Sequence, residues 1–321
     1  MNKFSSTWST YQTAMNQLEQ CSKDSNRTLQ LPLDEEETLL FTGWLLKRGL
    51  SASTIESYLS GLRQACLALG LGAPTLRTPL VNQVIKGRQN QQTVTNILEG
   101  KKERLPMTPK VMALLKKDLK SAKMPKHDKL MMWSISTLMF NGGFRGGEIL
   151  CNNSKNFDPS SCLLGQDINL RTATIKGEKT QFLEVKLKLE KCDRSDKLNI
   201  IDVYASQGES CPVRAWKKWQ CVTNTFPTLP AYRNTKGDNF TTKDFNAYLR
   251  AFNSKYLNIP GRSLSCHSFR AGLATMLGQI GYTDQEIQLS GRWNSRAFLA
   301  YIKLPRTQRL KMAREIGALN L

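Results

Sequence analysis

Strand-like alternation occurs in only one part of this chain, and helical spacing of apolar residues occurs on both sides of it. Three segments alternate or are rich in β-branched residues and are separated by polar turns: Thr172–Lys176, Leu183–Glu190 and Leu198–Tyr204. The flanking regions repeat apolar residues at the spacing of amphipathic helices. This distribution predicts a mainly α fold with a small antiparallel β-sheet.

A short charged segment, residues 99–106, divides the chain into two parts. Its sequence, Glu-Gly-Lys-Lys-Glu-Arg-Leu-Pro, is typical of a linker because it combines charge with a glycine and a proline. Helical patterns precede it, among them one that the capping-box pattern Ser53-Thr54-Ile55-Glu56 would start. After this segment, Thr108 and Pro109 are the residues expected at a helix N-terminus. We predict a helical domain over residues 1–104 and a larger α+β domain over residues 105–321.

The charge of the chain is strongly positive and unevenly distributed. The sequence has 46 Lys and Arg against 26 Asp and Glu, a net charge of +20. Residues 1–104 hold 12 basic and 9 acidic side chains, whereas residues 105–321 hold 34 and 17. Such an excess favours a polyanion because binding releases condensed counterions. The charge therefore predicts a nucleic-acid partner that the second domain contacts most.

Other features of the composition argue against a membrane or a zinc site. No apolar run approaches the roughly 18 residues of a membrane span, and the first ten residues lack the apolar core of a signal peptide. The 8 cysteines are scattered without a Cys-x-x-Cys pair, so zinc-ligand spacing is absent. We expect an intracellular protein with free thiols and no membrane partner.

Side chains suited to bind a phosphodiester occur in two parts of the sequence. Arg145 stands in a glycine-rich break, and glycines allow the backbone to bring its forked guanidinium close to a phosphate. Glu148, three residues later, is placed to orient Arg145 or a neighbour. Far downstream, His267 and Arg270 are three residues apart and would share one face of a helix.

Two aromatic residues follow the His-x-x-Arg pair. The indole of Trp293 is a hydrogen-bond donor without an acceptor, which suits it to an anion. Tyr301 is a candidate nucleophile, but a phenol with a pKa of about 10 needs cationic surroundings or a base to attack. Each of these residues alone is more simply explained by packing or by a surface role; the ordered set is far more specific.

This ordered set resembles the motifs of the tyrosine recombinases and integrases, and the resemblance covers most of the chain. The segment from Gly291-Arg292-Trp293 through Ala297-Phe298 to Tyr301-Ile302 looks closest to the recombinases of eukaryotic mobile elements of the Crypton and DIRS kind. The segment from Ala52 to Leu62 is similar to the N-terminal core-binding helix of the family. The chain departs from the common pattern by a tryptophan where many members have histidine, and by a spacing to Tyr301 that is one residue shorter than in bacterial and phage members.

The resemblance implies a helical core-binding domain, a catalytic domain and a transesterification that uses neither a metal nor a cofactor. Tyr301 would attack a DNA phosphorus to form a 3′-phosphotyrosine, while Arg145, Arg270, His267 and Trp293 bind the non-bridging oxygens. The family also uses a lysine of a β-hairpin as general acid. Two candidates remain open here, and Lys191, between two strand segments, is favoured over Lys179 in Gly177-Glu178-Lys179-Thr180.

The resemblance also implies double-stranded DNA as the substrate and a tetramer on two duplexes. Residues 306–321 form an apolar helical pattern that would pack on a neighbouring protomer. The expected function is strand exchange for the integration or excision of a mobile element, in the nucleus if the host is a eukaryote. The alternatives are a DNA-binding protein that has lost catalysis and a topoisomerase that uses the same chemistry.

Overall fold

The structure of the chain is a computed structural model. It describes residues 5–98, 103–175, 177–188, 199–223, 226–259, 262–293 and 295–302. The chain divides into two compact units, Met1–Lys101 and Lys102–Leu321, each with its own hydrophobic core. Lys191 and the C-terminal pattern over residues 306–321 lie outside the described residues.

The first unit is built of four helices. They are α1 (Ser5–Ser25), α2 (Glu35–Lys47), α3 (Ala52–Ala68) and α4 (Pro79–Leu98). Their apolar faces enclose a core in which Phe41, Ile55 and Leu62 are fully buried. Helices α1 and α3 approach closely because Gly61 of α3 has no side chain; a Cβ atom there would lie 3.1 Å from Cδ1 of Tyr11.

The start of α3 differs from the predicted one. Its N-cap is Ser51, whose Oγ accepts a hydrogen bond from the backbone N–H of Thr54 at 3.2 Å. Ser53 and Glu56 therefore lie inside the helix, and the capping-box prediction was wrong by two residues. The physical reason is that Ser51 offers an equivalent hydroxyl one residue before the first helical position, and the longer helix gains hydrogen bonds.

The second unit is organised around a buried helix. Its helices are α5 (Pro109–Ser121), α6 (Lys126–Gly142), α7 (Gly146–Ile149), α8 (Pro212–Gln220), α9 (Thr242–Tyr256), α10 (Cys266–Ile280) and α11 (Asp284–Gly291), with short 3-10 helices at Gly165–Asp167 and Arg296–Tyr301. Every residue of α6 from 131 to 140 is buried, because α5, α8 and α10 pack around it. As predicted, Thr108 caps α5 and Pro109 is its first residue.

The polar side chains of α6 are satisfied inside the core. Ser136 Oγ donates to the carbonyl oxygen of Met132 at 2.7 Å, and Thr137 Oγ1 donates to that of Ser134 at 3.0 Å. These bonds let hydroxyls occupy a buried helix without an unpaired polar group. None of the helices in the described ranges has the length and apolar character needed to cross a membrane.

Three strands of the second unit form the predicted antiparallel sheet, and they pair in chain order. The strands of the unit are β1 (Glu103–Arg104), β2 (Ile168–Ile175), β3 (Glu178–Leu187), β4 (Asn199–Tyr204) and β5 (Arg262–Ser263). Leu183 of β3 lies opposite Leu170 of β2 and Val203 of β4. Strands β2 and β3 both begin earlier than the predicted starts at Thr172 and Leu183, because their first parts include polar residues such as Arg171 and Lys179 that the alternation of apolar residues does not reveal.

Part of the predicted linker belongs to the second unit. Strand β1 pairs in parallel with β5, and the N–H of Leu105 donates to the carbonyl oxygen of Ser263 at 3.1 Å. The N–H of Met107 then donates to the carbonyl oxygen of Ser268 in α10 at 2.8 Å. The side chains of Leu105 and Met107 are buried in the core of this unit, which explains why the division falls before β1 and not after it.

Helix α10 depends on a glycine where the chain of Met107 crosses it. A Cβ atom on Gly272 would collide with the carbonyl group of Met107, which is backbone and has little freedom to move. We expect Gly272→Ala to lower the free energy of unfolding by about 3 kcal/mol, the cost of overpacking at a rigid contact. Urea unfolding followed by tryptophan fluorescence measures the change.

Gly147→Ala is the matched control, because Gly147 is exposed in α7 and a Cβ atom there would meet nothing within 4 Å. Its effect should stay within about 1 kcal/mol. Equal losses for the two variants would contradict a specific contact between α10 and residue 107.

Candidate active site

The end of α6 and the start of α10 meet through a glycine. Gly143 follows α6 in the left-handed conformation, with φ of 58°. A Cβ atom there would meet only the flexible end of the Leu273 side chain in α10, so it is the left-handed conformation that favours glycine. The carbonyl oxygen of Gly143 accepts a hydrogen bond from Nη1 of Arg270 at 2.8 Å. The glycine-rich break predicted from the sequence therefore holds the buried arginine of the His-x-x-Arg pair.

Arg270 is almost fully buried, with 1% of its surface exposed. Its Nη2 donates to the carbonyl oxygen of Arg292 at 3.0 Å. The guanidinium carbon lies 4.4 Å from the centre of a Trp293 ring, a cation–π arrangement. A buried charge of this kind is costly unless it is hydrogen-bonded, and these contacts hold the guanidinium in one orientation.

Glu148 connects two arginines. Its Oε1 accepts from Nη1 of Arg145 at 2.6 Å, and its Oε2 accepts from the backbone N–H of the same residue at 2.8 Å. Oε2 also accepts from Nη2 of Arg292 at 2.9 Å. The Glu148 side chain is 5% exposed, whereas the Arg145 side chain is 25% exposed. Glu148 thus holds Arg145 in one orientation and leaves part of its guanidinium accessible.

Arg292 was not predicted as a site residue. It ends α11 in the left-handed conformation, with φ of 53°. Its Nη1 donates to the carbonyl oxygen of Gly142 at 3.2 Å, while its own carbonyl oxygen receives Arg270. Sequence reasoning missed it because a positive φ and a partner 144 positions away leave no local pattern; its place beside Trp293 in Gly-Arg-Trp was the available signal.

His267 and Tyr301 form a direct contact. Nε2 of His267 lies 2.6 Å from the hydroxyl oxygen of Tyr301, and the two rings meet edge to face with centroids 5.6 Å apart. The backbone of Tyr301 is held as well, because Thr275 Oγ1 donates to its carbonyl oxygen at 2.7 Å. With the imidazole proton on Nδ1, Nε2 is the acceptor of the phenolic proton. The pair has the geometry of a nucleophile beside a base.

Trp293 serves as a packing surface in this site. It is 9% exposed, and its ring lies 5.6 Å from that of Phe298 and against the guanidinium of Arg270. A Cβ atom on Gly291 would enter the space of the Trp293 ring, which explains the glycine of the Gly-Arg-Trp sequence. The structure therefore places seven predicted or newly found side chains in contacting pairs: Arg145 with Glu148, Glu148 with Arg292, Arg270 with Trp293, and His267 with Tyr301.

The lysine predicted as general acid, Lys191, lies outside the described residues. Its rival Lys179 is exposed on β3, opposite Thr174 and two residues after Gly177, which turns the hairpin with φ of 85°. Tyr282, the next tyrosine before Tyr301, is exposed and follows the far end of α10, about 20 Å along the helix axis from His267. Among the residues that the structure describes, no group of three or more His, Cys, Asp or Glu is placed to hold a metal ion.

Solved structures with a similar fold include integrases and a site-specific recombinase. The Tn1549 transposon integrase in complex with circular intermediate DNA aligns with a TM-score of 0.57 at 13% identity, covering 94% of this chain and 91% of that chain. The XerH site-specific recombinase bound to palindromic difH substrate aligns with a TM-score of 0.58 at 18% identity, covering 97% and 79%. A lambda integrase dimer bound to a COC′ core site gives 0.51 at 15% identity, covering 91% and 72%.

The chain has the fold of the tyrosine recombinases and integrases. The predicted fold class, mainly helical with a small antiparallel sheet, is confirmed. No family profile matches the sequence, and neither does any curated protein. The resemblance to Crypton and DIRS recombinases stays a prediction.

The bridge from Arg145 through Glu148 to Arg292 yields a prediction about stability in this recombinase fold. The Glu148 and Arg292 side chains are 5% and 12% exposed, so removal of either leaves an uncompensated charge. We expect Glu148→Gln and Arg292→Ala each to lower the free energy of unfolding by about 3 kcal/mol. The double variant should lose at least about 1 kcal/mol less than the sum, because both changes break the same contact.

Urea unfolding of the four proteins of this double-mutant cycle measures the coupling. Arg296→Ala paired with Glu148→Gln is the control, since Arg296 is exposed in the 3-10 helix and its loss should add independently. Strict additivity for Glu148 and Arg292 would show that the bridge does not contribute to stability.

Proposed function

We propose that the chain is a DNA strand-exchange enzyme that cuts and rejoins DNA through a 3′-phosphotyrosine on Tyr301. The observation that carries the proposal is the 2.6 Å contact between the Tyr301 hydroxyl and Nε2 of His267. It supplies a nucleophile with an adjacent base in a chain that has the recombinase fold. The net charge of +20 supports a DNA substrate.

The first chemical step is attack by the phenolic oxygen on a phosphorus of one DNA strand. His267 Nε2 takes the phenolic proton as the bond from Oη to phosphorus forms. The bond from phosphorus to the 5′-oxygen breaks, and the departing oxygen takes a proton from a lysine. A 5′-hydroxyl of a partner strand then attacks the phosphotyrosine and gives its proton to the lysine, while His267 returns the phenolic proton to Tyr301. The energy of the phosphodiester is thereby retained without an outside source.

The arginines stabilise the negative charge that grows on the non-bridging oxygens. Arg145 presents its accessible nitrogens to one oxygen while Glu148 keeps its Nη1. Arg270 reaches the phosphate by exchanging the carbonyl oxygen of Arg292 for a phosphate oxygen at Nη2. The ring of Trp293 packs against the guanidinium of Arg270. Fixed donors of this kind contribute about 3–4 kcal/mol each to a transition state.

A substitution at Tyr301 tests the nucleophile. Tyr301→Phe removes one hydroxyl and should abolish covalent linkage to DNA while leaving affinity for DNA nearly unchanged. Incubation with labelled duplexes, denaturation and gel electrophoresis measure the covalent adduct. Sequencing of the adducts from a library of DNA ends identifies the target site.

Tyr282→Phe is the matched control, because it removes the same hydroxyl from an exposed tyrosine at the far end of α10 and should keep full activity. Adducts formed by Tyr301→Phe but not by Tyr282→Phe would move the nucleophile to Tyr282. DNA binding without adducts in the wild-type chain would favour a protein that has lost catalysis, and relaxation of supercoils by a monomer would favour a topoisomerase.

The general acid is proposed to be Lys191, which follows β3 and precedes β4, with Lys179 as the alternative beside the turn from β2 to β3. A thiolate leaves without a proton, so a substrate with sulfur at the bridging 5′-position bypasses the general acid. Lys191→Ala should be slow on normal DNA and restored by the sulfur substrate, whereas Lys179→Ala should show no such rescue. Single-turnover cleavage rates on both substrates decide, and the reverse pattern would assign the role to Lys179.

The assembly that we propose is a tetramer on two duplexes, joined by residues 306–321 of neighbouring protomers. Support comes from the apolar positions of that segment, which require burial. Such an assembly matches the integration or excision of a mobile element. Its DNA substrate would place the enzyme inside the cell, in the nucleus of a eukaryotic host.

A further inference from the structure

A cationic groove lies between α5, α6 and α8 of the second unit, with a volume of about 530 Å³. Six cationic side chains line it: Lys116, Lys120, Lys126, Lys129, Arg214 and Lys218. Glu209 is the single acidic residue among the described residues that line it. The groove therefore carries a large positive excess in a small concave space, which attracts an anionic ligand.

The floor of the groove is apolar. Leu119 and Trp133 are 3% and 9% exposed, and Leu130 is half-buried beside them. One ammonium already covers the tryptophan, since Nζ of Lys116 lies 5.6 Å from the Trp133 ring centre and 3.2 Å from Oε2 of Glu209. A ligand that fills this groove must combine negative charge with apolar groups.

The cations are arranged in rows along the helices. Each helix contributes two, spaced three or four residues apart and so on one face: Lys116 and Lys120 on α5, Lys126 and Lys129 on α6, Arg214 and Lys218 on α8. In the part of the chain that the structure describes, only Lys116 of the six has a carboxylate within ion-pair distance. Rows of charge fit an extended ligand with repeated anionic groups better than a single phosphate.

The groove is separate from the candidate active site. Trp133 precedes Gly143 by ten residues of α6, which places it about 15 Å along the helix axis from the end that holds Arg270. The cations of the groove therefore do not contact the reacting phosphate.

Three other occupants fit the groove poorly. The C-terminal segment of the chain, residues 303–321, has five basic side chains and one acidic one, which is the wrong sign of charge. Single-stranded nucleic acid binds by stacking bases on exposed aromatic rings, but Trp133 is buried and covered by Lys116. A duplex is convex and presents phosphates without apolar groups, so it would leave the floor unused.

We propose that this groove is a docking site for an acidic peptide segment of a partner protein, in which carboxylates alternate with aliphatic side chains. The carboxylates pair with the rows of Lys and Arg, and an aliphatic side chain rests on Leu130, the leucine of the floor that is only half-buried. Such a partner binds the enzyme without occupying its active site. Charge steers its approach, and the apolar contact distinguishes it from other polyanions.

Fluorescence anisotropy tests the proposal with the full chain and a fluorescein-labelled peptide in which pairs of glutamates alternate with leucine. The groove variant is Lys129→Glu/Lys218→Glu. The matched control is Lys117→Glu/Lys123→Glu, which makes the same change of charge at exposed lysines outside the groove. We expect the groove variant to lose affinity by about tenfold or more and the control variant to lose much less.

A second peptide with serine in place of leucine separates apolar contact from charge, and it should bind much more weakly. Equal binding of the two peptides, or equal losses in both protein variants, would overturn the proposal. A loss of duplex DNA binding that matches the loss of peptide binding would instead assign the groove to DNA. Should the groove variant fail to fold, a photoreactive leucine analogue in the peptide maps contacts on the wild-type chain, and crosslinks outside α5, α6 and α8 would contradict the site.

Discussion

The candidate site depends on the hydrogen bonds and ion pairs that the Glu148 carboxylate makes. The carboxylate binds the backbone and side chain of Arg145 and the side chain of Arg292, and so joins the break after α6 to the end of α11. Helix α7 has only four residues, too few to be stable alone. Its position therefore follows from these charge-assisted bonds and from the burial of Ile149. Without Glu148, two guanidinium groups would share a poorly solvated space.

Arg292 connects Glu148 to Arg270, the arginine that is almost fully buried. A non-glycine residue with φ of 53° costs about 1–3 kcal/mol, and the site offsets that cost with two contacts from one residue. The side chain of Arg292 holds Glu148, and its carbonyl oxygen holds Arg270. Arg145 and Arg270, which lie on different elements, are thereby oriented through a single loop. Tyr301 is the last residue of the 3-10 helix Arg296–Tyr301, and Thr275 of α10 holds its backbone carbonyl oxygen, so its position depends on the packing of this helix against α10.

The positive charge of the second unit occurs in two different arrangements, and α6 takes part in both. At its C-terminal end, the arginines are bound by a carboxylate and by backbone carbonyl oxygens, which fixes their direction. Along its N-terminal half, lysines form rows over an apolar floor, with few carboxylate partners among the described residues. Fixed cations suit a reaction at one phosphate, whereas rows of cations suit an extended acidic chain. A net charge alone does not distinguish the two.

The sequence by itself determined the class of fold and the order of the candidate site residues. Helical spacing, the Thr108-Pro109 start and the strand-like segments each depend on neighbours a few positions away. These predictions were correct except for the cap of α3 and the starts of β2 and β3. The pairing of side chains was decided by the tertiary structure. His267 meets Tyr301 across 34 positions, and Arg292 meets Glu148 across 144. Such contacts depend on how buried helices pack and on a left-handed residue at a helix end, and no local pattern records either.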